Sequence, residues 1–284
     1  MLEFGRFRLE LGPETCIMGI LNVTPDSFSD GGRFNSLDSA LGQAEKLVRD
    51  GAHILDIGGE SSRPFAQPVS EQEELDRVIP VIEAVAGRID VPISIDTVKS
   101  GVAKEALKAG AAIINDISAF EKDPAMADLA ARMNIPVVLM HMKGTPQTMQ
   151  VDPSYDDLMI EITDYLAARA AFAMEKGILR KNIILDPGIG FGKTIEHNLV
   201  LIRHLDRITD LGFPVLMGPS RKSFIQNILS DTEKTAIGPD NIKTEHGTLA
   251  AVAACVLNGA HIVRVHDVEK AKSFTRIIDA IRNA

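Results

Sequence analysis

The stretch PISIDTVKSGVAKEALKAGAAIINDI, residues 92–117, decides the fold class. It begins and ends with short, almost continuously apolar runs, which are typical of parallel strands buried on both faces. The segment between these runs has helical periodicity, so the stretch predicts a strand, a helix and a second strand. The same alternation recurs from end to end of the chain. It predicts eight strands, near residues 17–23, 54–57, 92–95, 113–117, 137–140, 183–185, 215–217 and 262–265.

Eight alternations of strand and helix within 284 residues are typical of a (β/α)8 TIM barrel. We therefore predict an α/β fold with a single barrel domain over residues 1–284. A doubly wound open sheet is the alternative, and it requires a glycine-rich fingerprint after the first strand. The segment that follows this strand, TPDSFSDGG at residues 24–32, lacks the G-x-G-x-x-G spacing.

Two helices can be predicted in more detail. Residues 154–176 have a helical apolar stripe that begins after a possible N-cap at Ser154. Arg169 interrupts this stripe, and we expect its head group to lie in water. Residues 71–86 form the second helix, in which Pro80 predicts a kink or a break.

Composition excludes several classes of protein. The formal net charge is −9 and the basic residues form no dense run, which argues against a general nucleic-acid binder. No apolar run approaches the roughly 20 residues that span a bilayer, and residues 1–16 lack a signal-peptide pattern. Cys16 and Cys255 lie in or beside apolar runs, as buried thiols in a reducing compartment do. We therefore expect a cytoplasmic protein with no nucleic-acid or membrane partner.

Polar side chains stand at the carboxyl ends of all eight predicted strands. In a barrel these positions share one end, which we call the rim, and active sites are built there. A single polar residue after a strand is often only a helix cap, but eight such positions at one end indicate a site. In chain order they are Asn22 and Thr24, Asp56, Asp96, Asn115 and Asp116, His141, Asp186, Ser220 and Arg221, and Arg264 and His266.

These residues divide into two chemical sets. One set consists mostly of hydrogen-bond acceptors, which suit a flat, neutral ring rich in N–H groups, such as a pterin or a guanine-like ring; it contains Asp56, Asp96, Asn115 and Asp186. The other set offers donors and positive charge to a pyrophosphate or a carboxylate; it contains Arg63, Lys193, Arg221, Lys222, Arg264 and His266.

Arg264 and His266 carry the most weight among the donors. The two residues alternate within a strand that should be buried, and a buried arginine without an anionic partner is costly.

The sequence gives less indication of a metal site than of the two ligand-binding sets. No set of His, Cys and carboxylate residues has the spacing of a zinc site. Asp56 and Asp96 could hold Mg²⁺, although a pyrophosphate supplies many of that ion's ligands itself. The glycine-rich LDPGIGFGK, residues 185–193, lacks the phosphate-loop spacing, and we interpret it as a mobile rim loop.

Eight segments, taken in order, resemble the motifs of the dihydropteroate synthase family of pterin-binding enzymes over nearly the whole chain. They are GILNVTPDSFSDGG (19–32), GGESSRP (58–64), SIDT (94–97), NDISA (115–119), MHMKGTPQTMQ (140–150), LDPGIGFGK (185–193), GPSRKSF (218–224) and RVHDV (264–268). Three positions depart from the family pattern: Ser62 stands where Thr is usual, Phe65 where Gly is common, and Lys143 where Gln is frequent.

The resemblance implies a transferase of folate biosynthesis. Such an enzyme condenses 6-hydroxymethyl-7,8-dihydropterin pyrophosphate with 4-aminobenzoate to give 7,8-dihydropteroate and pyrophosphate. The resemblance also implies Mg²⁺ as cofactor, inhibition by sulfonamides and a homodimer that forms through helices on the outer wall. Two alternatives stay open: a pterin-dependent methyltransferase, which has no pyrophosphate to hold, and a non-catalytic pterin-binding protein.

The resemblance further implies a role for each matching residue. The pterin site contains Asp96, Asn115, Met140, Asp186, Phe191, Gly218 and Lys222, to which the acceptor argument adds Asp56. The pyrophosphate site contains Asn22, Arg63, Arg264 and His266, with Mg²⁺ beside Asn22. The aminobenzoate site contains Phe28, Ser62, Arg63, Pro64, Phe191, Ser220 and Lys222. We expect the catalytic electrostatics to come from Asp96, Lys222, Arg264 and His266, while the first two loops close over the substrates.

Overall fold

The computed structural model of the chain describes residues 1–24, 32–62, 66–233 and 235–284. Two short strands, β1 (Leu2–Phe4) and β2 (Phe7–Leu9), form an antiparallel hairpin before the barrel. The barrel strands are β3 (Cys16–Asn22), β4 (Ile54–Gly58), β5 (Ile93–Asp96), β6 (Ile113–Asp116), β7 (Val137–Met140), β8 (Ile183–Asp186), β9 (Leu216–Met217) and β10 (Ile262–Val265). Each overlaps its predicted strand with ends shifted by no more than one residue.

Helices follow the barrel strands and cover their outer face. They are α1 (Gly32–Arg49), α2 (Glu71–Ala86), α3 (Ser100–Ala109), α4 (Ala125–Met133), α5 (Leu158–Glu175), α6 (Ile195–Arg203), α7 (Asp206–Thr209), α8 (Ser223–Glu233), α9 (Ile242–Leu257) and α10 (Val268–Arg282). In the described part of the chain, none of these helices is long and apolar enough to cross a membrane.

The strands form a parallel sheet that closes on itself. Its order is β8-β7-β6-β5-β4-β3-β10-β9. The two edge strands meet at a single parallel bridge, Leu185–Val215, beside which the Leu185 N–H donates to the Pro214 carbonyl at 2.9 Å. This topology confirms the predicted (β/α)8 TIM barrel. The closure has one weak place, because β9 is only two residues long.

The barrel is filled by side chains and closed at the end opposite the rim. A buried layer that includes Met18, Ile54 and Ile184 packs against Leu2 and Phe4 of the hairpin. Sequence periodicity misses this hairpin because strands of three residues are too short to show an alternation.

Both cysteines are buried free thiols, as predicted. Burial raises the pKa of the Cys16 thiol to about 12 and also raises the pKa of Cys255.

Three local predictions need correction. The helix predicted from Ser154 begins instead at Leu158, where Asp157 is the N-cap and its Oδ1 accepts the Ile160 N–H at 3.0 Å. The head group of Arg169 does not lie in water: its Nε donates to the Ala119 carbonyl at 2.8 Å and its Cζ lies 4.4 Å from the centroid of the Phe172 ring.

Helix α2 runs unbroken through Pro80, so the predicted break is absent. Proline has no N–H, so Pro80 leaves the carbonyl of Asp76 without its helical partner. Both residues lie on the exposed face of α2, so this carbonyl faces water.

Candidate active site

An ion-pair network at the rim joins residues from four strands. Arg264 on β10 reaches across β3, and its Nε contacts Asp56 Oδ2 at 2.6 Å while its Nη2 contacts Asp96 Oδ2 at 2.7 Å. Asn115 Nδ2 donates to the same Asp56 oxygen at 3.2 Å. The register explains the arrangement, because Asp96 is level with Gly58 and Asn115, whereas Asp56 lies one inward-facing layer lower on β4. The expectation that Arg264 requires an anionic partner is confirmed.

Burial controls the charges in this network. The Asp56 side chain is 0% exposed, whereas those of Asp96 and Arg264 are 15% and 20% exposed. Burial raises the pKa of Asp96 to about 7, although the Arg264 guanidinium opposes this shift. Burial alone would lower the pKa of Arg264, but the Asp56 and Asp96 carboxylates together raise it. The network therefore keeps Arg264 charged and leaves Asp96 close to its protonation equilibrium at neutral pH.

Asp186 and Lys222 lie close enough to this network for the charges of Arg264 and Asp96 to act on Lys222, and we call the space that these residues surround the pocket. Asp186 is buried, and its Oδ1 accepts the Gly188 N–H at 2.7 Å. Burial raises the pKa of Asp186 to about 6. Burial, followed by the charge of Arg264, lowers the pKa of Lys222 to about 8, while Asp186 and Asp96 act in the opposite direction. This side of the pocket offers one acceptor and one cation that titrate close to neutrality.

Phe191 forms an apolar wall of the pocket. It packs with Met140 and Met149 in a small buried cluster. The Lys222 Nζ lies 3.9 Å from the centroid of the Phe191 ring, which is a cation–π contact. A flat ring could therefore pack against apolar side chains here while its edge meets the acceptors.

Ser220 and His266 form a hydrogen-bonded pair beside Arg264. The Ser220 Oγ lies 2.9 Å from His266 Nδ1, and it accepts the His266 backbone N–H at 3.3 Å. We infer that the hydroxyl donates to Nδ1, so the neutral imidazole carries its proton on Nε2. Gly218, which directly follows β9, lies next to Arg264, because a Cβ atom at Gly218 would be 3.8 Å from the Arg264 Cβ.

The remaining predicted site residues lie at the first two rim loops. Asn22 ends β3 in register with Gly58, and its side chain is partly exposed. Ser62 is also partly exposed and lines, together with Asp96, a cavity of about 230 Å³. The predicted residues Phe28, Arg63 and Pro64, and the unusual Phe65, lie outside the described residues.

Lys193 does not face the pocket, so its assignment as a donor to an anionic ligand is wrong. It is 2% exposed, and its Nζ contacts the Phe191 carbonyl at 2.9 Å and His141 Nδ1 at 3.0 Å. The interpretation of residues 185–193 as a mobile loop also needs revision, because Ile189 and Phe191 are buried.

Arg221 also differs from its assignment as a ligand donor. Its Nη1 contacts Asp240 Oδ1 at 2.8 Å, and its Nε lies 3.6 Å from Glu245 Oε2. The charge of Arg221 is therefore matched by residues around the start of α9.

Sequence reasoning missed a charged cluster at the base of the loop after β4. Lys99 contacts Glu60, and its Nζ lies 2.5 Å from an oxygen of the buried Glu74. Arg77 donates to the Gly59 carbonyl at 2.7 Å. The sequence feature that could have predicted this cluster is Glu74, which lies four residues before Val78 and therefore on the apolar face of α2. A carboxylate on a buried face requires a cationic partner.

The described residues contain no group of three or more His, Cys, Asp or Glu side chains arranged to hold a metal ion. The Asn22 amide supplies one oxygen at the rim. Such a donor suits a Mg²⁺ ion whose other ligands are phosphate oxygens and water, because this ion usually keeps several waters and binds few protein groups.

Comparison with known proteins gives matches over almost the whole chain. The profile of the family described as pterin binding enzyme matches residues 18–266. A dihydropteroate synthase of Synechocystis sp. is 48% identical over 280 residues, which cover 99% of this chain and 94% of the relative. The crystal structure of Yersinia pestis dihydropteroate synthase with a sulfonamide drug has a TM-score of 0.91 at 44% identity and covers 100% of this chain and 99% of that chain.

A second solved structure, dihydropteroate synthase from Xanthomonas albilineans in complex with 7,8-dihydropteroate, has a TM-score of 0.84 at 38% identity. It covers 95% of this chain and 95% of that chain. Since the family profile spans most of the chain and the Synechocystis relative nearly all of it, this chain belongs to the pterin-binding enzyme family.

Proposed function

We propose that this chain acts as a dihydropteroate synthase, a transferase that joins a dihydropterin methylene group to 4-aminobenzoate and releases pyrophosphate in folate biosynthesis. The observation that carries this proposal is the presence, on one rim, of a buried acceptor set beside Arg264 and the Ser220–His266 pair. The names of the relatives agree with it. A pterin-dependent methyltransferase would need the acceptors but no cation for a pyrophosphate.

The acceptor set accounts for pterin recognition. The ring N–H and the adjacent amino group of a pterin form a row of donors, and an ionised carboxylate can accept two of them in parallel. Asp186 is ionised above a pH of about 6 and lies beside Lys222, which can donate to the acceptors of the ring. Asp96 and Asn115, which are level on adjacent strands, complete the edge of the site.

The chemical step requires separation of charge rather than a side-chain nucleophile. The bond between the methylene carbon and oxygen breaks, and its electron pair leaves with pyrophosphate. The aryl amine of 4-aminobenzoate then forms the carbon–nitrogen bond and gives up a proton. Arg264 uses only two of its five N–H groups on Asp56 and Asp96 among the described residues, so three can face the leaving group.

Electrostatics on the pterin side complete this scheme. Asp96 and Asp186 favour the cationic character that spreads from the methylene group into the ring. Catalysis of this kind rests on positioning and preorganised charge.

Mg²⁺ would be held by the Asn22 amide oxygen together with the pyrophosphate oxygens. When bound, this ion supplies positive charge that stabilises the leaving group. The position of Asn22 at the end of β3, in register with Gly58 on the neighbouring strand, supports this assignment.

The aminobenzoate site would lie between Phe191, Lys222 and Ser220. The Phe191 ring offers a face for stacking, and the Lys222 cation and the Ser220 hydroxyl can receive the carboxylate. We assign Ser62, Phe28, Arg63 and Pro64 to the same site on the strength of the family resemblance. Sulfonamides, which mimic aminobenzoate, would bind in this place.

The proposed activity is tested by incubating the protein with 6-hydroxymethyl-7,8-dihydropterin pyrophosphate and Mg²⁺, with and without 4-aminobenzoate, and by following pyrophosphate and dihydropteroate. We expect product that depends on aminobenzoate and that is lost in Lys222→Ala and Asp186→Ala. Lys108→Ala, which removes an exposed lysine of α3, is the matched control. Tight pterin binding by a folded protein that forms no product would overturn the proposal and favour a non-catalytic role.

We also propose that the protein is a homodimer that forms through its outer wall. Seven of the exposed apolar side chains lie on three adjacent helices: Leu199 and Val200 on α6, Ile242 and Leu257 on α9, and Phe274, Ile277 and Ile281 on α10. Such a concentration of apolar surface is typical of an interface. Light scattering should show a dimer for the unmodified chain and a monomer for Ile277→Asp, and a monomer for both would contradict the assignment.

A cytoplasmic location is our further proposal. It is supported by the two free thiols at Cys16 and Cys255, since a reducing compartment preserves unpaired cysteines.

A further inference from the structure

Lys193 is a buried cation to which the proposed reaction gives no task. Its Nζ has three acceptors within reach: the Phe191 carbonyl at 2.9 Å, His141 Nδ1 at 3.0 Å and the His141 carbonyl at 3.5 Å. An ammonium group has three N–H donors, so none is left for a substrate. A lysine is almost never fully buried unless its charged group is paired. Lys193 is buried, and the groups that its three N–H donors bind therefore indicate its role.

These donors hold the segment of residues 187–193 against the end of β7. The segment lies very close to the backbone of residues 141–143: a Cβ atom at Gly188 would be 1.9 Å from the His141 carbonyl oxygen, and one at Gly192 would be 2.3 Å from the Lys143 carbonyl oxygen. Both glycines have positive φ, which other residues rarely adopt. The close contact therefore depends on the backbone of the segment and on the groups that fix it.

Other side chains hold the same segment, but none of them bonds to Phe191. Tyr155 donates to the Gly192 carbonyl at 2.7 Å, and Gln150 donates to the Gly190 carbonyl at 2.7 Å. Asn198 accepts the Gly190 N–H at 2.7 Å. Lys193 alone among these groups bonds to the carbonyl of Phe191, whose ring carries Lys222 at 3.9 Å.

We propose that Lys193 is a positioning residue, which fixes the backbone of Phe191 on β7 and thereby sets the place of the Phe191 ring and of Lys222 in the substrate pocket. This role rests on the proposed function, because the Phe191 ring and Lys222 belong to the site that we propose for pterin and aminobenzoate. Lys193 itself touches neither substrate.

The electrostatic surroundings of Lys193 agree with this role. The charged and titratable groups that face it are Asp186, Lys222, His141 and His197. Burial, and then the charge of Lys193, lower the pKa of His141 to about 2, so the imidazole stays neutral and its Nδ1 remains an acceptor. Burial lowers the pKa of Lys193 to about 7; the charge of Asp186 opposes this shift and the charge of Lys222 adds to it.

A double-mutant cycle on binding tests the proposal independently of turnover. The probe is pteroate, which contains both ring systems, and its Kd is measured by calorimetry for the unmodified chain, Lys193→Met, Phe191→Ala and the double variant. We expect each single change to raise the Kd about tenfold, the size of a partly buried cation–π contact. Because Lys193 acts through Phe191, the double variant should be little weaker than either single variant.

Two controls separate positioning from folding. Lys181→Met removes an exposed lysine at the opposite end of β8 and should leave the Kd unchanged. If Lys193→Met fails to fold, the cycle is repeated with Lys193→Gln, which keeps N–H donors but no charge.

An unchanged Kd in Lys193→Met, or losses that multiply to about a hundredfold in the double variant, would overturn the proposal. Failure of the proposed function would appear differently, as pteroate binding by the unmodified chain without formation of dihydropteroate.

Discussion

Replacing Arg264 by methionine should destabilise the barrel strongly. Asp56 is fully buried, and its Oδ2 receives Arg264 Nε at 2.6 Å and Asn115 Nδ2 at 3.2 Å, while its Oδ1 has no partner among the described residues. Arg264→Met would leave this carboxylate with a single neutral N–H. Removal of one partner from a buried ion pair costs about 3–5 kcal/mol, and we expect a loss within that range.

A second substitution should reverse much of this loss. Asp56→Asn removes the buried charge, so the double variant Arg264→Met/Asp56→Asn needs no counterion at Asp56. Asp96 also loses Arg264, but its side chain is 15% exposed, and without the guanidinium that holds its pKa down to about 7 the carboxyl takes up a proton more readily. The double variant should therefore be about 2 kcal/mol more stable than Arg264→Met alone.

Urea unfolding at pH 8, followed by far-UV circular dichroism, measures these differences through the midpoint at constant slope. Arg276→Met, which removes an exposed arginine of α10, should change the free energy of unfolding by less than about 0.5 kcal/mol. A loss below about 1 kcal/mol in Arg264→Met, or a double variant no more stable than the single one, would show that the pair does not carry the charge of Asp56.

Three further substitutions test the pocket, the barrel floor and the segment that holds Phe191. The pKa of Asp186 is raised from 3.8 to about 6, so its contribution to stability is complete below pH 3.8 and is lost as the pH rises through 6. In urea unfolding, Asp186→Asn should therefore raise the free energy of unfolding by about 2–3 kcal/mol at pH 8 and by little at pH 3.5. The same variant should lose pterin binding in calorimetry. The pKa of His261, whose Nδ1 accepts the Val215 N–H at 3.2 Å, is lowered by burial, so stability should fall as the pH drops below 6.5; His261→Asn, which keeps an acceptor, should show a shallower slope between pH 8 and pH 5. Gly188→Ala would place its Cβ 1.9 Å from a carbonyl oxygen at a φ of +68°, and should lower the free energy of unfolding by more than about 3 kcal/mol. Gly42→Ala, which has open space around it in α1, should raise the free energy of unfolding by up to about 1 kcal/mol. Equal effects of the two substitutions in urea unfolding would contradict the packing argument.

The sequence was sufficient to predict the barrel because parallel strands and amphipathic helices have different periods. Position at a strand end was also enough to bring Asp56, Asp96, Asn115 and Arg264 together, since every strand delivers its last residues to the same rim.

Side-chain direction was much harder to predict than position. Lys193 and Lys222 look equivalent in the sequence, as basic residues just beyond strand ends. Lys193 bonds to the backbone carbonyl of Phe191, whereas Lys222 contacts the Phe191 ring. The two lysines differ because three glycines with positive φ turn the chain between Asp186 and Lys193. Ser154 and Asp157 are both good caps three residues apart, and only the backbone conformation selects Asp157.

The closure between β8 and β9 has a consequence for how ligands act on the whole barrel. Every other junction of the sheet is a run of paired residues, whereas this one rests on the Leu185–Val215 bridge in the described part of the chain. The pocket that we propose for the pterin lies over this seam, with Asp186 at the end of β8 and with Gly218 and Lys222 following β9. A bound substrate would therefore contact both strands at the least extensively paired position of the barrel. Its binding energy would slow amide hydrogen exchange most at residues 215–217.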